Sequence, residues 1–417
     1  MPKWKLYNPE GMQDILIDRC YAKRDIENEI RDLFRKNGFM EIETPVVEFY
    51  DVFSNDEQLV NQEAMFKFVD EKGRILALRP DMTIPTARVI GTKLKDMNLP
   101  IKISYLGNCF KYDGIGSAKQ REFTQAGIEI FAKNNPFYDA QIIKMAIKTL
   151  LKMGLEQFTI ELGQVEFFKG LMEQTNFDEE LIELIRTMIE AKDFFGVEEL
   201  LGEKDIPANV KEHITNLSNY FGDKKMLLQL KESKLNTRSL KAIDNLLAIL
   251  NILEEEGLEK YISVDLGMVK RLKYYTGMIF KGLTYGVGFP ILSGGRYDSL
   301  CEKFGKSLSA TGFSLEVDIL LNILQRNENI LPKSSFDTLV VFNQKGRNTA
   351  VIITNQLREQ GLKVDLICDK VNKKYAIERN IPGVINILDD ENIEILNIEE
   401  NTNIKTTVSQ LIGGDKK

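Results

Sequence analysis

Residues 121–130 read Arg-Glu-Phe-Thr-Gln-Ala-Gly-Ile-Glu-Ile, and that run fixes a sheet at the heart of the chain. Side chains alternate across a strand, so Thr124, Ala126, Ile128 and Ile130 form one apolar face, broken only by Glu122. Arg121, Phe123, Gln125, Gly127 and Glu129 share the other. This second face offers a guanidinium, a ring, an amide, a gap and a carboxylate. Such a set suits a small zwitterion beside a stacked base; it equally suits a strand turned to solvent. A strand-like run from Lys102 precedes it, and the loop Gly114-Ile115-Gly116-Ser117-Ala118-Lys119 has the small residues of a mobile connection. Residues 102–131 therefore read as a long hairpin.

Around it the periodicity changes several times. Residues 20–37 place Tyr21, Ile26, Ile30, Leu33 and Phe34 near one helical face, with Gly38 set to cap the end. Phe39 to Val47 has a strand pattern interrupted by Pro45, which points to an edge or an interface. From about 166 to 255 helical spacing dominates (Leu181, Ile185, Met188, Ile189; Leu240, Ile243, Leu247, Leu250), as in a helical domain inserted into a sheet domain. Strand patterns resume at Tyr261 to Leu266 and Met278 to Phe280, and a helix is predicted near 315–325. The polar stretch around Pro332 reads as a linker. Beyond it Leu339–Phe342, a helix to Gln360 and Val364–Cys368 form a βαβ-like unit.

Composition narrows the chemistry. With 43% hydrophobic and 28% charged residues over 417 positions, the chain has material for two or three globular domains. No apolar run reaches the length of a membrane span. The N-terminal residues lack the apolar segment of a signal peptide, which predicts a cytosolic protein. Cys20, Cys109, Cys301 and Cys368 lie far apart with no CxxC pair, arguing against zinc ribbons and disulfide frameworks. The single histidine, His213, excludes Ser-His-Asp, Cys-His and multi-histidine metal sites, and its polar helical neighbours make it a surface residue. No basic stripe accompanies the net charge of −7.

Three further segments carry chemistry. Leu78-Arg79-Pro80-Asp81-Met82-Thr83, if extended, sets Asp81 and Thr83 on one side, and a carboxylate with a hydroxyl suits an α-ammonium group. Lys273-Tyr274-Tyr275-Thr276-Gly277 offers rings and hydroxyls, and in Ser293-Gly294-Gly295-Arg296-Tyr297-Asp298 paired glycines permit close backbone approach. With Pro9-Glu10-Gly11-Met12-Gln13-Asp14 and Thr44-Pro45, these motifs in this order resemble the histidyl-tRNA synthetase family of class II synthetases. The resemblance spans about residues 1–325; the C-terminal unit is only loosely similar to that family's anticodon-binding domain. It implies an α+β fold: a class II synthetase-like antiparallel sheet of six strands flanked by helices, dimerising around the first helix and Pro45. The expected divisions are a core of 1–165 and 256–325, a helical insertion at 166–255, a linker at 326–335 and a small C-terminal α/β domain at 336–417.

The sequence departs from that family where ATP would sit. Class II synthetases grip the phosphates with arginines, whose planar fork lysine does not reproduce. The hairpin strand of the family reads Phe-Arg-x-Glu; here it reads Phe110-Lys111-Tyr112-Asp113. The third class motif, Gly-x-Glu-Arg-Leu, appears as Glu316-Val317-Asp318-Ile319-Leu320, so a carboxylate replaces the glycine and an isoleucine the arginine. The family's Arg-Gly-Leu-Asp-Tyr-Tyr appears as Lys270-Arg271-Leu272-Lys273-Tyr274-Tyr275, aligning Lys270 with the arginine that assists attack. Losing one such contact costs roughly 2–4 kcal/mol of transition-state stabilisation, so three changes should remove adenylation. On the amino-acid side, Thr83, Gln125, Glu129 and Tyr275 match the family's histidine contacts; Asp81 replaces a glutamate there, and Arg121 and Tyr274 belong to the same neighbourhood. Retained amino-acid contacts beside lost nucleotide contacts resemble the regulatory-subunit family of ATP phosphoribosyltransferase, which implies the short-form catalytic subunit as partner, histidine as effector, a homodimer within a hetero-oligomer, no tRNA and no cofactor. Two rivals remain: an active histidyl-tRNA synthetase, and a paralogue that binds tRNA or free histidine as a stress sensor.

Overall fold

The computed structural model describes residues 4–54, 60–112, 120–269, 275–326, 336–368 and 373–412. Contacts divide the chain into two units, Met1–Gln13 with Ile26–Asn329 and Asp14–Asp25 with Ile330–Lys417. Helix α1 (Ile17–Lys36) begins three residues earlier than its periodicity predicts. It buries Ile26, Ile30 and Phe34, and the Phe34 ring meets Phe313 edge-on at 6.2 Å. The strand expected through Pro45 is instead two short strands in two sheets, β1 (Met40–Glu41) and β2 (Val47–Phe49). The physical reason lies at the break: proline has no N–H for a ladder, and the carbonyl and hydroxyl of Thr44 are both taken by the Arg79 guanidinium.

Next along the chain come β3 (Lys67–Val69) and β4 (Ile75–Leu78), which pair with β2 in the order β2-β4-β3. Helix α2 (Thr83–Thr92) leads to the predicted hairpin, β5 (Ile101–Phe110) and β6 (Glu122–Phe131), whose tip loop lies outside the described residues. Helix α3 (Pro136–Lys152) starts on a strong sequence signal, Asn135 followed by Pro136: the Asn135 side chain accepts from Phe137 N at 2.9 Å. Strand β7 (Phe158–Gln164) follows. Helices α4 (Val165–Met172), α5 (Glu179–Glu190), α6 (Phe194–Gly202), α7 (Ala208–Thr215), α8 (Lys224–Lys231) and α9 (Thr237–Glu255) then interrupt the sheet, with only the short β8 (Phe221–Gly222) among them. The unit closes with β9 (Ile262–Asp265), β10 (Met278–Thr284), β11 (Leu292–Tyr297), β12 (Ala310–Glu316) and α10 (Val317–Arg326).

The main sheet has nine strands in the order β1-β5-β6-β12-β11-β10-β7-β9-β8. Its central run from β5 to β7 is antiparallel throughout, six strands as the resemblance implies, while β1 and β9 add in parallel at either side. Helices cover it so fully that β6 is buried on both faces beyond Glu122, including the face expected to meet solvent or ligand. Adjacent residues of β11 serve opposite faces. Arg296 pairs with buried Asp139 of α3 at 2.8 Å, whereas Tyr297 reaches Glu129.

His213 is a correction. Its spacing from Val210 and Ile214 puts it on the inner face of α7, where it is 7% exposed, with Nδ1 2.7 Å from the Tyr220 hydroxyl. Burial holds its pKa below the usual value. The polar residues around it mark the outer face of the helix.

In the second unit β13 (Thr338–Phe342), α11 (Arg347–Glu359) and β14 (Val364–Cys368) form the predicted βαβ unit. Helix α12 (Lys373–Glu378), β15 (Gly383–Ile387), β16 (Asn392–Asn397), β17 (Thr402–Thr407) and α13 (Val408–Ile412) complete it, with sheet order β14-β13-β15-β16-β17. Val340, Ala350, Ile353, Val364 and Ile385 centre its core. The expected linker falls mainly on residues outside the description. No helix among the described residues is long and apolar enough to cross a membrane.

The Asp139–Arg296 pair is buried, so removing one partner strands the other charge. Asp139→Ala is expected to cost about 3–5 kcal/mol, read as a lowered urea midpoint, with Arg296→Ala similarly affected.

Candidate functional site

Residues 60–64, the start of α2 and parts of β6, β11 and β12 enclose a cavity of about 340 Å3. That volume is at the lower end for small-molecule sites, roughly 300–1,000 Å3. Asp81, Thr83, Lys111, Gln125, Glu129 and Tyr275 all line it, together with Ser293, Gly294 and Tyr297. Four separate sequence segments thus converge on one hollow.

Asp81 and Thr83 arrive there by a helix start, not by the extended chain expected from the sequence. The carboxylate of Asp81 accepts from Ile84 N at 2.9 Å, supporting the first turn of α2, and Thr83 is the first residue of that helix. Gln125 is fixed from both ends: its carbonyl accepts from Met82 N at 2.8 Å and its amide donates to Ser314 Oγ at 3.0 Å.

Glu129 is the most constrained group. It is 1% exposed, and each carboxylate oxygen accepts a phenol, Tyr105 at 3.0 Å and Tyr297 at 2.7 Å. Two glycines make this possible. A Cβ at Gly312 would overlap the Glu129 carboxylate, and one at Gly127 would come within 2.5 Å of the Tyr105 hydroxyl. Burial pushes the Glu129 carboxyl up to about 8, against the pull of its hydroxyl donors and with a further push from Asp81. Burial likewise raises Asp81, opposed by the Ile84 amide and the Lys111 charge. Among the described lining residues, two carboxyls therefore face a single cation, Lys111.

Other expected members lie elsewhere. Arg121 turns away: its guanidinium sits over the Tyr112 ring at 4.3 Å and 3.5 Å from Glu10. Glu316 ends β12 opposite Gln125, and half-buried Ile319 lies on α10; neither lines the cavity. Lys270 and Tyr274 fall outside the described residues. Phe123, expected as a ring available to a base, is 4% exposed and packed with Met82, Tyr105 and Cys109, with Lys111 Nζ 5.8 Å from its centre.

Tyr105 is a contributor that the sequence reading passed over, and Tyr297 entered it only as part of the glycine-rich segment, with no role of its own. A signal existed in the hairpin. Tyr105 pairs directly with Gly127 across β5 and β6, and a glycine inside a strand often marks the space another group needs. Reading it requires the hairpin register.

This six-strand antiparallel core, with its cavity between β6 and β11, defines a class II synthetase-type protein. A match to the family described as "Histidyl-tRNA synthetase" spans residues 11–320. The chain is 51% identical over 416 residues to an "ATP phosphoribosyltransferase regulatory subunit" of Acetivibrio thermocellus, covering 99% of this chain and 100% of that one. A protein of the same name from Ruminiclostridium cellulolyticum is 46% identical, covering 99% of both chains. Among solved structures, an "ATP phosphoribosyltransferase regulatory subunit/histidyl-tRNA synthetase" from Bacillus halodurans C superposes with a TM-score of 0.83 at 27% identity, covering 92% of this chain and 98% of the other. A histidyl-tRNA synthetase from Nostoc sp. PCC 7120, at TM-score 0.81 and 21% identity over 98% of both chains, supports the fold alone. The chain belongs to the histidyl-tRNA synthetase-like family of ATP phosphoribosyltransferase regulatory subunits.

The electrostatics of Glu129 have a measurable signature. Its folded value near 8 lies above its ordinary 4.5, so the folded state holds an extra proton between those pH values and loses stability as pH rises across them. The loss is at most about 1.4 kcal/mol per pH unit. Glu129→Gln should cancel it, so the urea midpoint of the variant should gain on the wild type from pH 5 to 8.

Proposed function

We propose that this chain is a non-catalytic regulatory subunit of ATP phosphoribosyltransferase, acting with the short-form catalytic subunit at the first step of histidine biosynthesis. In this reading the cavity binds histidine as the feedback effector. The observation that carries it is the charge of the cavity: Asp81 and Glu129 face only Lys111 among its described lining residues. Such a hollow lacks the cations that grip a triphosphate and offers acceptors to an ammonium group and a ring N–H. The ammonium would meet Asp81, Thr83 and the Gln125 carbonyl, and the imidazole would meet Glu129 and Tyr275. The replacements at Lys111 and Ile319 support the same division, since two of the synthetase family's phosphate-gripping forks are absent there, and Glu316 adds a carboxylate where that family has glycine.

Histidine would act by binding two arrangements of the complex with different affinity, a coupling typically worth about 1–3 kcal/mol. The catalytic partner would bind ATP and the phosphoribosyl donor. The chain itself would pair as a homodimer within the hetero-oligomer; the exposed apolar side chains Val46, Val47, Phe49 and Phe68 beside Pro45 support that. The rival with an observation behind it is an active synthetase, since the family match covers residues 11–320.

Mixing this chain with a short-form catalytic subunit is expected to raise phosphoribosyl transfer, and histidine to suppress it. Gln125→Ala or Glu129→Ala should shift the inhibiting histidine concentration upward about tenfold or more, one charge-assisted contact being worth about 1.5–3 kcal/mol, with the complex intact by gel filtration. Histidine-dependent ATP–pyrophosphate exchange by the purified chain would establish the synthetase and defeat the regulatory reading.

A further inference from the structure

Thr83 stands between the two acids of the cavity. Its hydroxyl lies 3.2 Å from the Tyr105 hydroxyl, and either oxygen is able to donate. The same hydroxyl helps to hold down both Asp81 and Glu129. Tyr105 reaches on to Glu129 Oε1 at 3.0 Å. Thr83, Tyr105 and Glu129 are 8%, 1% and 1% exposed, so bulk water does not stand in for a missing partner.

A hydroxyl has one proton to give and two lone pairs to offer. With Glu129 ionised, Tyr105 spends its proton on the carboxylate and accepts from Thr83. Thr83 then presents lone pairs to the cavity, where an ammonium donates. With Glu129 protonated, the carboxyl is a donor to its neighbours, Tyr105 turns its proton to Thr83, and Thr83 offers a proton instead. The groups facing Glu129 are Tyr105, Tyr297, Thr83, Asp81 and Cys301, with the backbone of Gly312 against it; Lys111 acts through Asp81. Both phenols and the Cys301 thiol are pushed upward by burial, which keeps them neutral donors.

We infer that Tyr105 is a positioning residue: its hydroxyl links the charge state of Glu129 to the polarity of Thr83, so that recognition of a ring N–H at one end of the cavity reinforces recognition of an ammonium at the other. The inference rests on the cavity being the histidine site. It identifies the preferred ligand class as one carrying both groups at once, and predicts weak binding of a ring compound lacking the amine.

Calorimetry on the full chain tests this with histidine and with imidazolepropionic acid, which keeps the ring and carboxylate but lacks the ammonium. In the wild type the ratio of the two Kd values should be large. In Tyr105→Phe, which keeps the ring packing, that ratio should fall fivefold or more, the low end of typical site-to-site coupling. An unchanged ratio in a variant that still binds histidine would overturn the linkage alone. Failure of the wild type to bind histidine would overturn the reading of the cavity and this inference with it. Should Tyr105→Phe not fold, the wild-type ratio decides: corrected for each ligand's own titration, it should rise fivefold or more from pH 6.5 to 8.5, and a flat profile would refute the linkage.

Discussion

The guanidinium of Arg79 joins three parts of the first unit that are distant in sequence. It is 3% exposed, donates to the carbonyl of Asn108 at 2.8 Å and to the carbonyl and hydroxyl of Thr44, while its own backbone bonds to Val46 and Phe110. A buried cation without partners is prohibitively costly, so the strand break at Pro45, the end of β5 and the turn into α2 must assemble together. Asp81 and Thr83 follow two and four residues later. Their placement in the cavity is inherited from that assembly, so a guanidinium that does not itself line the cavity helps to set its shape.

Much of this architecture is legible in the residues. The hairpin, the helical stretch after β7 and the βαβ unit follow from spacing alone, because period 2 and period 3.6 are distinct when runs are long. Less legible is anything set by pairing between remote segments. Phe123 and Gln125 share a face, yet one is core and the other lines the cavity; Met82, inserted from another segment, makes the difference. His213 misleads for a related reason, since its polar neighbours describe only the side of α7 that it does not occupy. Arg121 precedes the first paired residue of β6, so strand alternation does not govern where it points.

Among its described lining residues the cavity sets two acids, Asp81 and Glu129, against one cation, Lys111. Burying Asp81 and Glu129 together is unfavourable unless a ligand with matching donors relieves them, and the phenols of Tyr105 and Tyr297 supply only part of that relief. Proteins tolerate such local conflict at binding sites and offset it elsewhere. Here the antiparallel framework holds the conflict in place: it keeps Glu129 1% exposed, with both of its oxygens accepting from phenols, while Asp81 stays half-buried at the cavity wall.

The alternation of Arg296 and Tyr297 on β11 carries one more consequence. Because strand side chains repeat every second residue, an offset of a single position would thrust a guanidinium among the acids and leave a phenol opposite Asp139. Asp139 would lose its ion-pair partner and Glu129 the phenol that donates to it, and neither loss can be repaired by a rotamer. The strand thus carries its own proofreading: any misaligned assembly of the sheet is penalised twice, on two faces, before a ligand is ever encountered.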